Sequence, residues 1–133
     1  MTSHRCLLLA FVCLAATGCI TRLPCNQMMF QDLPRQSPDR VDVMKGSTRV
    51  ASIRDADRIS KIVAFTSQRT GGWNQPWFGV PVGDLTAQFF AHDVFLSDFS
   101  TGPDFFEAQG CSSFQTRRAS SEETAELRAL LGQ

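Results

Sequence analysis

The first half of the globular region changes from a β-strand pattern to a helical pattern. β-Branched residues flank Lys45-Gly46 between Val41 and Ile53, which predicts two short strands joined by a turn. From Asp55 to Arg69 the apolar residues recur at spacings of three and four, at Ala56, Ile59, Ile62 and Val63. This spacing predicts one amphipathic helix, with acidic residues at its start and Arg69 at its end, as the helix dipole favours.

The second half has the pattern of several strands followed by a helix. Apolar and polar residues alternate in four short runs, the first two of which predict a β-hairpin: 85–91, 94–99, 105–109 and 113–117. Ser120 and Glu123 match a capping box, in which a hydroxyl and a carboxylate satisfy the free backbone N–H groups of a helix start. The chain is therefore expected to end in a short helix.

This order of elements predicts an α+β fold. The predicted elements are, in order, a strand pair, a helix, a hairpin, further strands and a final helix. This order favours an antiparallel sheet with its helices on one face. We expect a small antiparallel β-sheet with one long amphipathic helix and a short C-terminal helix packed on one face.

The amino-terminal segment has the layout of a signal peptide. Arg5 precedes a run from Cys6 to Ala16 without a charged residue, and small residues follow it. The run is about eleven residues long, whereas roughly twenty helical residues are needed to cross a bilayer. Residues 1–18 are therefore expected to direct export and to be removed.

The end of this segment, Leu14-Ala-Ala-Thr-Gly18-Cys19, resembles the lipobox of bacterial lipoproteins, although Ala16 stands where the usual pattern has leucine. The resemblance implies that Cys19 becomes the first mature residue and is anchored to membrane lipid through fatty acyl chains such as palmitate. Ile20 rather than aspartate follows, which in the sorting rule for Gram-negative lipoproteins implies the outer membrane, facing the periplasm. A plain secretory signal is the alternative.

Between the lipobox and the first strand, the composition is typical of a tether. Proline, asparagine, glutamine and serine are frequent there. The predicted organisation is a signal peptide at 1–18, a lipidated tether at 19–39 and a globular domain at 40–133. The one apolar cluster of the tether, Met28-Met29-Phe30, can instead dock onto the domain.

Composition limits the partners of the mature chain. The whole sequence has 13 basic and 13 acidic residues, and Arg5 is the only charged residue before Cys19, so the mature part carries one excess negative charge. We expect no nucleic-acid partner, because a basic field is missing. A chain of 133 residues is long enough for a single domain with its own core.

Lipid on Cys19 would leave Cys25 and Cys111 as the thiols of the mature chain. Two thiols in an oxidising compartment can form one disulfide. On the chain-entropy view, closing a loop of roughly 85 residues stabilises a fold by about 4 kcal/mol. The alternative is two unpaired cysteines, since Cys25 lies in the predicted tether.

The sequence carries no recognisable catalytic or metal-binding motif. His92 is the only histidine after the lipobox, and no Gly-x-Ser-x-Gly elbow is found. Cys25, Cys111 and His92 lack zinc-ligand spacing, and no glycine loop followed by lysine could hold a phosphate. We therefore expect a protein without enzyme activity, metal or cofactor.

An aromatic loop between residues 71 and 81 has the most unusual content. Trp73, Trp77 and Phe78 lie in a frame of three glycines and two prolines. Large rings in a rigid frame can form a platform that binds a sugar, a peptide or a partner protein. The alternative is that Trp73 and Trp77 fold inward and close one end of the fold.

The helix, the Trp-Pro loop, the Phe-rich hairpin and the capped last helix resemble small extracytoplasmic lipoprotein domains of unassigned function. We expect a non-catalytic lipoprotein of the cell envelope that binds an envelope protein or glycan through the aromatic loop. An inhibitor or immunity-type lipoprotein that blocks a secreted hydrolase is the alternative. An enzyme is the third hypothesis, and it requires a concave pocket that holds His92 beside a carboxylate.

Overall fold

The computed structural model describes residues 28–77, 79–110 and 113–133. These ranges form an antiparallel sheet of six strands with three α-helices, which confirms the α+β class. The strands are β1 (Arg40–Lys45), β2 (Thr48–Ile53), β3 (Leu85–Ala91), β4 (Val94–Thr101), β5 (Phe105–Gln109) and β6 (Phe114–Arg118). The helices are α1 (Leu33–Gln36), which follows a 3-10 turn at Met29–Asp32, α2 (Ala56–Ser67) and α3 (Ser121–Leu131).

The strands lie in the order β2-β1-β3-β4-β5-β6, and all neighbours are antiparallel. Side chains on a strand point alternately to opposite faces. The core face therefore carries buried apolar residues from five strands, among them Val41, Val43, Ile53, Phe89, Phe99 and Phe106. The opposite face carries most of the polar strand residues.

The expectation of one long helix is wrong, because α2 has 12 residues and α3 has 11. Asp55 caps α2 by accepting a hydrogen bond from the Arg58 N–H at 2.8 Å, as the acidic start suggested. The Arg69 N–H donates to the Thr66 carbonyl at 3.1 Å, a tighter turn that ends the helix before Arg69. The chain can then bend back so that Trp73 reaches the core.

The start of α3 matches the capping box read from the sequence. The Glu123 N–H donates to Ser120 Oγ at 3.2 Å, and the Ser120 N–H donates to Glu123 Oε2 at 3.0 Å. Gly132 ends the helix with φ at 80°, a left-handed conformation that favours glycine.

The segment at 28–36, which the sequence assigned to the tether, packs into the core. Met28, Phe30 and Leu33 are each at most 1 % exposed. Met28 forms an antiparallel bridge with Gly110, just beyond β5. The Phe30 ring packs edge-on against Phe99, with centroids 5.1 Å apart. The folded part therefore begins no later than Met28, well before residue 40.

Candidate functional site

Four of the residues singled out by the sequence lie outside the described part of the chain. They are Cys19, Cys25, Phe78 and Cys111. Trp73 and Trp77 are both described, and they have opposite environments.

Trp73 belongs to the core. Its ring centroid lies 5.3 Å from that of Phe30 and 5.8 Å from that of Phe99. The indole Nε1 donates a hydrogen bond to the Arg69 carbonyl at 2.7 Å, which satisfies the polar atom of the half-buried ring. The two tryptophans therefore do not form a joint platform.

Trp77 points away from the core and is 92 % exposed. Val82, on the same loop, is 86 % exposed, and these two are the most exposed large apolar residues in the described ranges. No charged residue occurs between Asn74 and Gly83. The loop thus presents an uncharged apolar surface to its surroundings.

The beginning of this loop is fixed to β6. The Asn74 N–H donates to the Thr116 carbonyl and the Thr116 N–H donates to the Asn74 carbonyl, both at 2.9 Å. Arg117 Nε donates to the Gly71 carbonyl at 3.0 Å. The chain enters the exposed segment from a point held by the sheet.

The end of the loop is fixed to β4 and β5. The Gly83 N–H donates to Glu107 Oε2 at 3.2 Å, and the Asp84 N–H donates to the Thr101 carbonyl at 3.0 Å. A Cβ at position 83 would lie 2.7 Å from the Cβ of Ser100, so only glycine fits this close approach. Trp77 is therefore carried by a loop that is braced at both ends.

The close approach at Gly83 leads to a stability prediction. Gly83→Ala should displace the loop from β4 and lower the free energy of unfolding by about 1–3 kcal/mol, as overpacking does. Gly71→Ala is the matched control, because a Cβ there meets no atom within 4 Å; it should stay within about 0.5 kcal/mol. Urea unfolding measures both. Equal stability of the two variants would show that Gly83 is not held against β4.

A charged cluster ties the base of the loop to α2 and α3. Glu123 Oε1 lies 3.0 Å from Arg117 Nη1 and 3.4 Å from Arg69 Nε. Burial lowers the pKa of Arg69, while the charge of Glu123 opposes that shift. Burial alone would raise the pKa of Glu123. Hydrogen bonds from the Ser120 N–H and from Arg117, together with the positive charges of Arg117 and Arg69, outweigh this effect and lower the pKa. The cluster is a structural brace in which opposite charges compensate each other.

Two carboxylates, Asp98 and Glu107, lie beside the loop on the face of the sheet opposite the core. Burial raises the pKa of Asp98, although hydrogen bonds from the backbone N–H groups of Asp98 and Gln109 oppose the shift. Burial also raises the pKa of Glu107, opposed by the hydrogen bond from Gly83 and reinforced by the charge of Asp98. Asp98 Oδ1 is buried without a hydrogen-bond partner. The charged forms of both groups therefore destabilise the fold.

Removing the Asp98 charge should stabilise the domain at neutral pH. Asp98 binds its proton more tightly in the folded state, so its unfavourable contribution is absent below the unfolded pKa, grows as the pH rises from there to the elevated folded pKa, and is complete above it. Asp98→Asn should raise the free energy of unfolding at pH 7 by on the order of 1 kcal/mol, because it removes a charge that burial disfavours. Thermal unfolding at pH 7 and pH 3 checks this; a difference that persists at pH 3 would contradict it.

His92 lies on the exposed turn between β3 and β4, and its side chain is 96 % exposed. Its Nδ1 is 3.5 Å from Asp39 Oδ2. A groove of about 630 Å³ runs between α1 and α2, with an apolar wall that includes Leu33, Ile59 and Val63. Asp39 lines this groove and His92 does not. The arrangement that the enzyme hypothesis requires is not found there.

No family model, curated protein or solved structure matches the chain. In the described ranges, no helix is long and apolar enough to cross a membrane. The same residues contain no group of three or more histidine, cysteine, aspartate or glutamate side chains that could hold a metal ion.

Proposed function

We propose that this protein is a lipid-anchored lipoprotein of the bacterial cell envelope whose domain binds another envelope component, a protein or a glycan, without catalysis. The binding surface is the loop that carries Trp77, and Cys19 carries the lipid. The outer membrane, on its periplasmic side, is the proposed location. The observation that carries the proposal is the 92 % exposure of Trp77 on a loop braced at both ends.

The bracing supports a binding role because a loop held in place loses little conformational freedom when it binds. Exposed tryptophan is costly to keep in water and is the residue most enriched among binding hot spots. The hydrogen bonds at Asn74 and Gly83 fix both ends of the exposed segment to the sheet. Such a segment is suited to recognition.

The topology supports a loop that faces away from the anchor. The bridge between Met28 and Gly110 lies just beyond the C-terminal end of β5, whereas the loop joins β3 at Leu85, whose partner Thr101 pairs with Phe106 near the N-terminal end of β5. The five residues of β5 span roughly 17 Å. Cys19 precedes Met28 by nine residues, which reach at most about 30 Å. A short tether would thus leave the Trp77 end free for a partner.

An inhibitor or immunity-type lipoprotein that blocks a secreted hydrolase is the second candidate. A protruding, uncharged apolar loop can fill a concave cleft as well as it can contact an envelope component, so Trp77 favours both. Loss of activity of a hydrolase encoded by a neighbouring gene, on addition of this protein, would favour the inhibitor.

Lipid anchoring is tested by replacing its acceptor. Cys19→Ala removes the thiol that forms the thioether, so the protein should move from the membrane fraction to the soluble fraction or remain unprocessed. Fractionation followed by immunoblotting measures the distribution, and Met29→Ala, at an exposed position, is the control that should stay with the membrane. Membrane retention of a Cys19→Ala protein that is processed to the mature size would rule out the lipid anchor.

Binding is tested by a pull-down of the lipidated protein from its own envelope. Trp77→Ala should lose the captured component, whereas Val94→Ala should keep it. Val94 is a suitable control because it is 63 % exposed and lies at the opposite end of β3. Equal capture by both variants would show that the loop is not the binding surface.

A further inference from the structure

We infer that the rings of Phe95 and Phe114 enter the headgroup region of the membrane to which Cys19 is anchored, so that the domain contacts the lipid surface at a second point. This inference rests on the lipid anchor of the proposed function. It concerns the β3–β4 turn, at the end of β3 opposite the one that the Trp77 loop joins.

The start of β4 lies at the end of the sheet where the chain enters the domain. Because β4 and β5 are antiparallel, the start of β4 extends past the end of β5. The residue after β5, Gly110, is bridged to Met28. Phe95, the second residue of β4, therefore lies at the Met28 end of the sheet. Met28 follows Cys19 by nine residues, which span at most about 30 Å.

Phe114 lies at the same end of the sheet as Phe95 and on the same face. Phe114 pairs with Gln109, the last residue of β5, and Phe95 pairs with Phe90. Gln109 and Phe90 each follow a residue that is buried in the core, so these two pairs point to the face opposite the core. The side chains of Phe95 and Phe114 are 48 % and 41 % exposed.

Exposed apolar residues are concentrated at the Met28 end. The described ranges contain seven exposed large apolar side chains, and four of them lie at the start of β4, at the start of β6 or beside Met28: Met29, Val94, Phe95 and Phe114. Exposed apolar surface of this kind is typical of contacts with a partner or a membrane. In the anchored protein the bilayer is the surface that this end meets first.

The turn that carries Phe95 is braced by residues at the start of β1. His92 and Asp93 form a two-residue turn with φ values of 49° and 64°, as in a type I′ hairpin. The His92 N–H donates to Asp39 Oδ2 at 3.0 Å, and Asp93 forms an ion pair with Arg40. Phe95 therefore loses little conformational freedom when it contacts lipid.

The charges at this turn favour an apolar contact over electrostatic attraction to lipid phosphates. The positive charge of Arg40 is compensated by Asp93, and its guanidinium lies 4.2 Å from the ring centroid of Phe90. Phe90 in turn packs edge-on against Phe95, with centroids 5.7 Å apart. Because the anchor makes the second contact intramolecular, its effective concentration is high and two rings are sufficient.

The test uses the lipidated mature protein in vesicles of phosphatidylethanolamine and phosphatidylcholine. A photo-crosslinking amino acid is placed at position 95, and the same residue at position 50 is the control. Val50 is suitable because it is exposed and lies near the β1–β2 turn, at the other end of β1 from Arg40. Position 95 should give a phospholipid adduct about tenfold more often than position 50. The yield should be the same at low and high salt, since the contact is apolar.

A second pair of variants tests whether the two rings act together. Phe114→Ser should lower the yield of lipid adduct at position 95 about tenfold, because each ring contributes apolar area to the same contact. Val50→Ser is the matched control and should leave the yield unchanged. Circular dichroism should show both variants folded, because both side chains are exposed.

The outcomes separate the membrane contact from the anchor on which it rests. Lipid adducts at position 95 that persist at high salt and decrease with Phe114→Ser support the contact. Equal yields at positions 95 and 50, in a protein whose mass includes the lipid, overturn the contact and leave the anchor intact. Loss of the adduct at high salt, or a protein adduct at position 95 in the native envelope in place of lipid, also overturns it. A mature protein without the lipid mass overturns both.

Discussion

Phe30→Ala is expected to lower the free energy of unfolding by about 3–5 kcal/mol, the usual cost of removing a buried ring. Phe30 is fully buried and contacts both Phe99 and Trp73. Its loss would leave a cavity between the first helical turns and the sheet. Urea unfolding of the mature chain, followed by circular dichroism, measures the effect.

Met29→Ala is the matched control, because Met29 is the adjacent residue and is 41 % exposed. Its effect should stay within about 0.5 kcal/mol, as for most surface substitutions. If Phe30→Ala were as stable as Met29→Ala, residues 28–36 would belong to a loose tether and the domain would begin near residue 40.

The second large effect concerns Cys25 and Cys111, which we expect to be bonded in the oxidising envelope. Both lie outside the described residues, but their neighbours are placed. Met28 is bridged to Gly110, which directly precedes Cys111, and Cys25 precedes Met28 by three residues. A disulfide needs a Cα separation of roughly 4–7 Å, and the bridge places the described neighbours Met28 and Gly110 side by side.

Loss of this bond should destabilise the domain by about 4 kcal/mol, because it closes a loop of roughly 85 residues. Cys25→Ser, Cys111→Ser and the double variant should have equal thermal stability, since each removes the same bond. Mass spectrometry of the oxidised wild type should find no free thiol at either position. Free thiols there, or a double variant as stable as the wild type, would contradict the bond.

The bond would also shorten the tether. Cys25 follows Cys19 by six residues, which span at most about 20 Å when extended. The end of β5 next to Gly110 would then lie close to the membrane, and the loop, which joins the sheet near the other end of β5, would lie farther from it.

Local signals in the sequence predicted most of the sheet and the last helix. Apolar and polar residues alternate over Leu85–Ala91 with a period of two, and this pattern does not depend on which strand is the partner. The capping box at Ser120 is equally local, because its two residues are three positions apart. The end of α2 could not be placed in this way, because the last turn is tightened by the hydrogen bond from the Arg69 N–H to the Thr66 carbonyl, which apolar spacing does not indicate. The helix ends at Ser67, two residues before Arg69, where the sequence analysis placed its end.

The helical start of the domain was missed for a physical reason. The turn at Met29–Asp32 and α1 have four residues each, too few to show a helical period, and Pro34 gives the segment the composition of a linker. What holds Phe30 in place is distant in the sequence, namely the ring of Phe99. The sequence carried one signal of this helical start, because the apolar residues Phe30 and Leu33 are three positions apart, as on one face of a helix. Both side chains are fully buried in the structure.

The candidate site was predicted in part. The sequence indicated the aromatic loop but could not distinguish Trp73 from Trp77, because both share the same glycine and proline frame. Tertiary contacts with Phe30 and Phe99 decide that Trp73 turns inward. The sequence analysis did not identify Glu107 as a residue that holds the loop. Glu107 lies between the buried residues Phe106 and Ala108, so its side chain is on the face of the sheet opposite the core.

The most direct test of the binding role of the Trp77 loop is a competition measurement. Envelopes that hold the lipidated protein on its partner are mixed with an excess of the unlipidated mature chain, and displacement of the partner is measured. The unmodified chain and Val94→Ala should displace the partner, whereas Trp77→Ala should not. Displacement by Trp77→Ala as effective as by the unmodified chain would contradict the account.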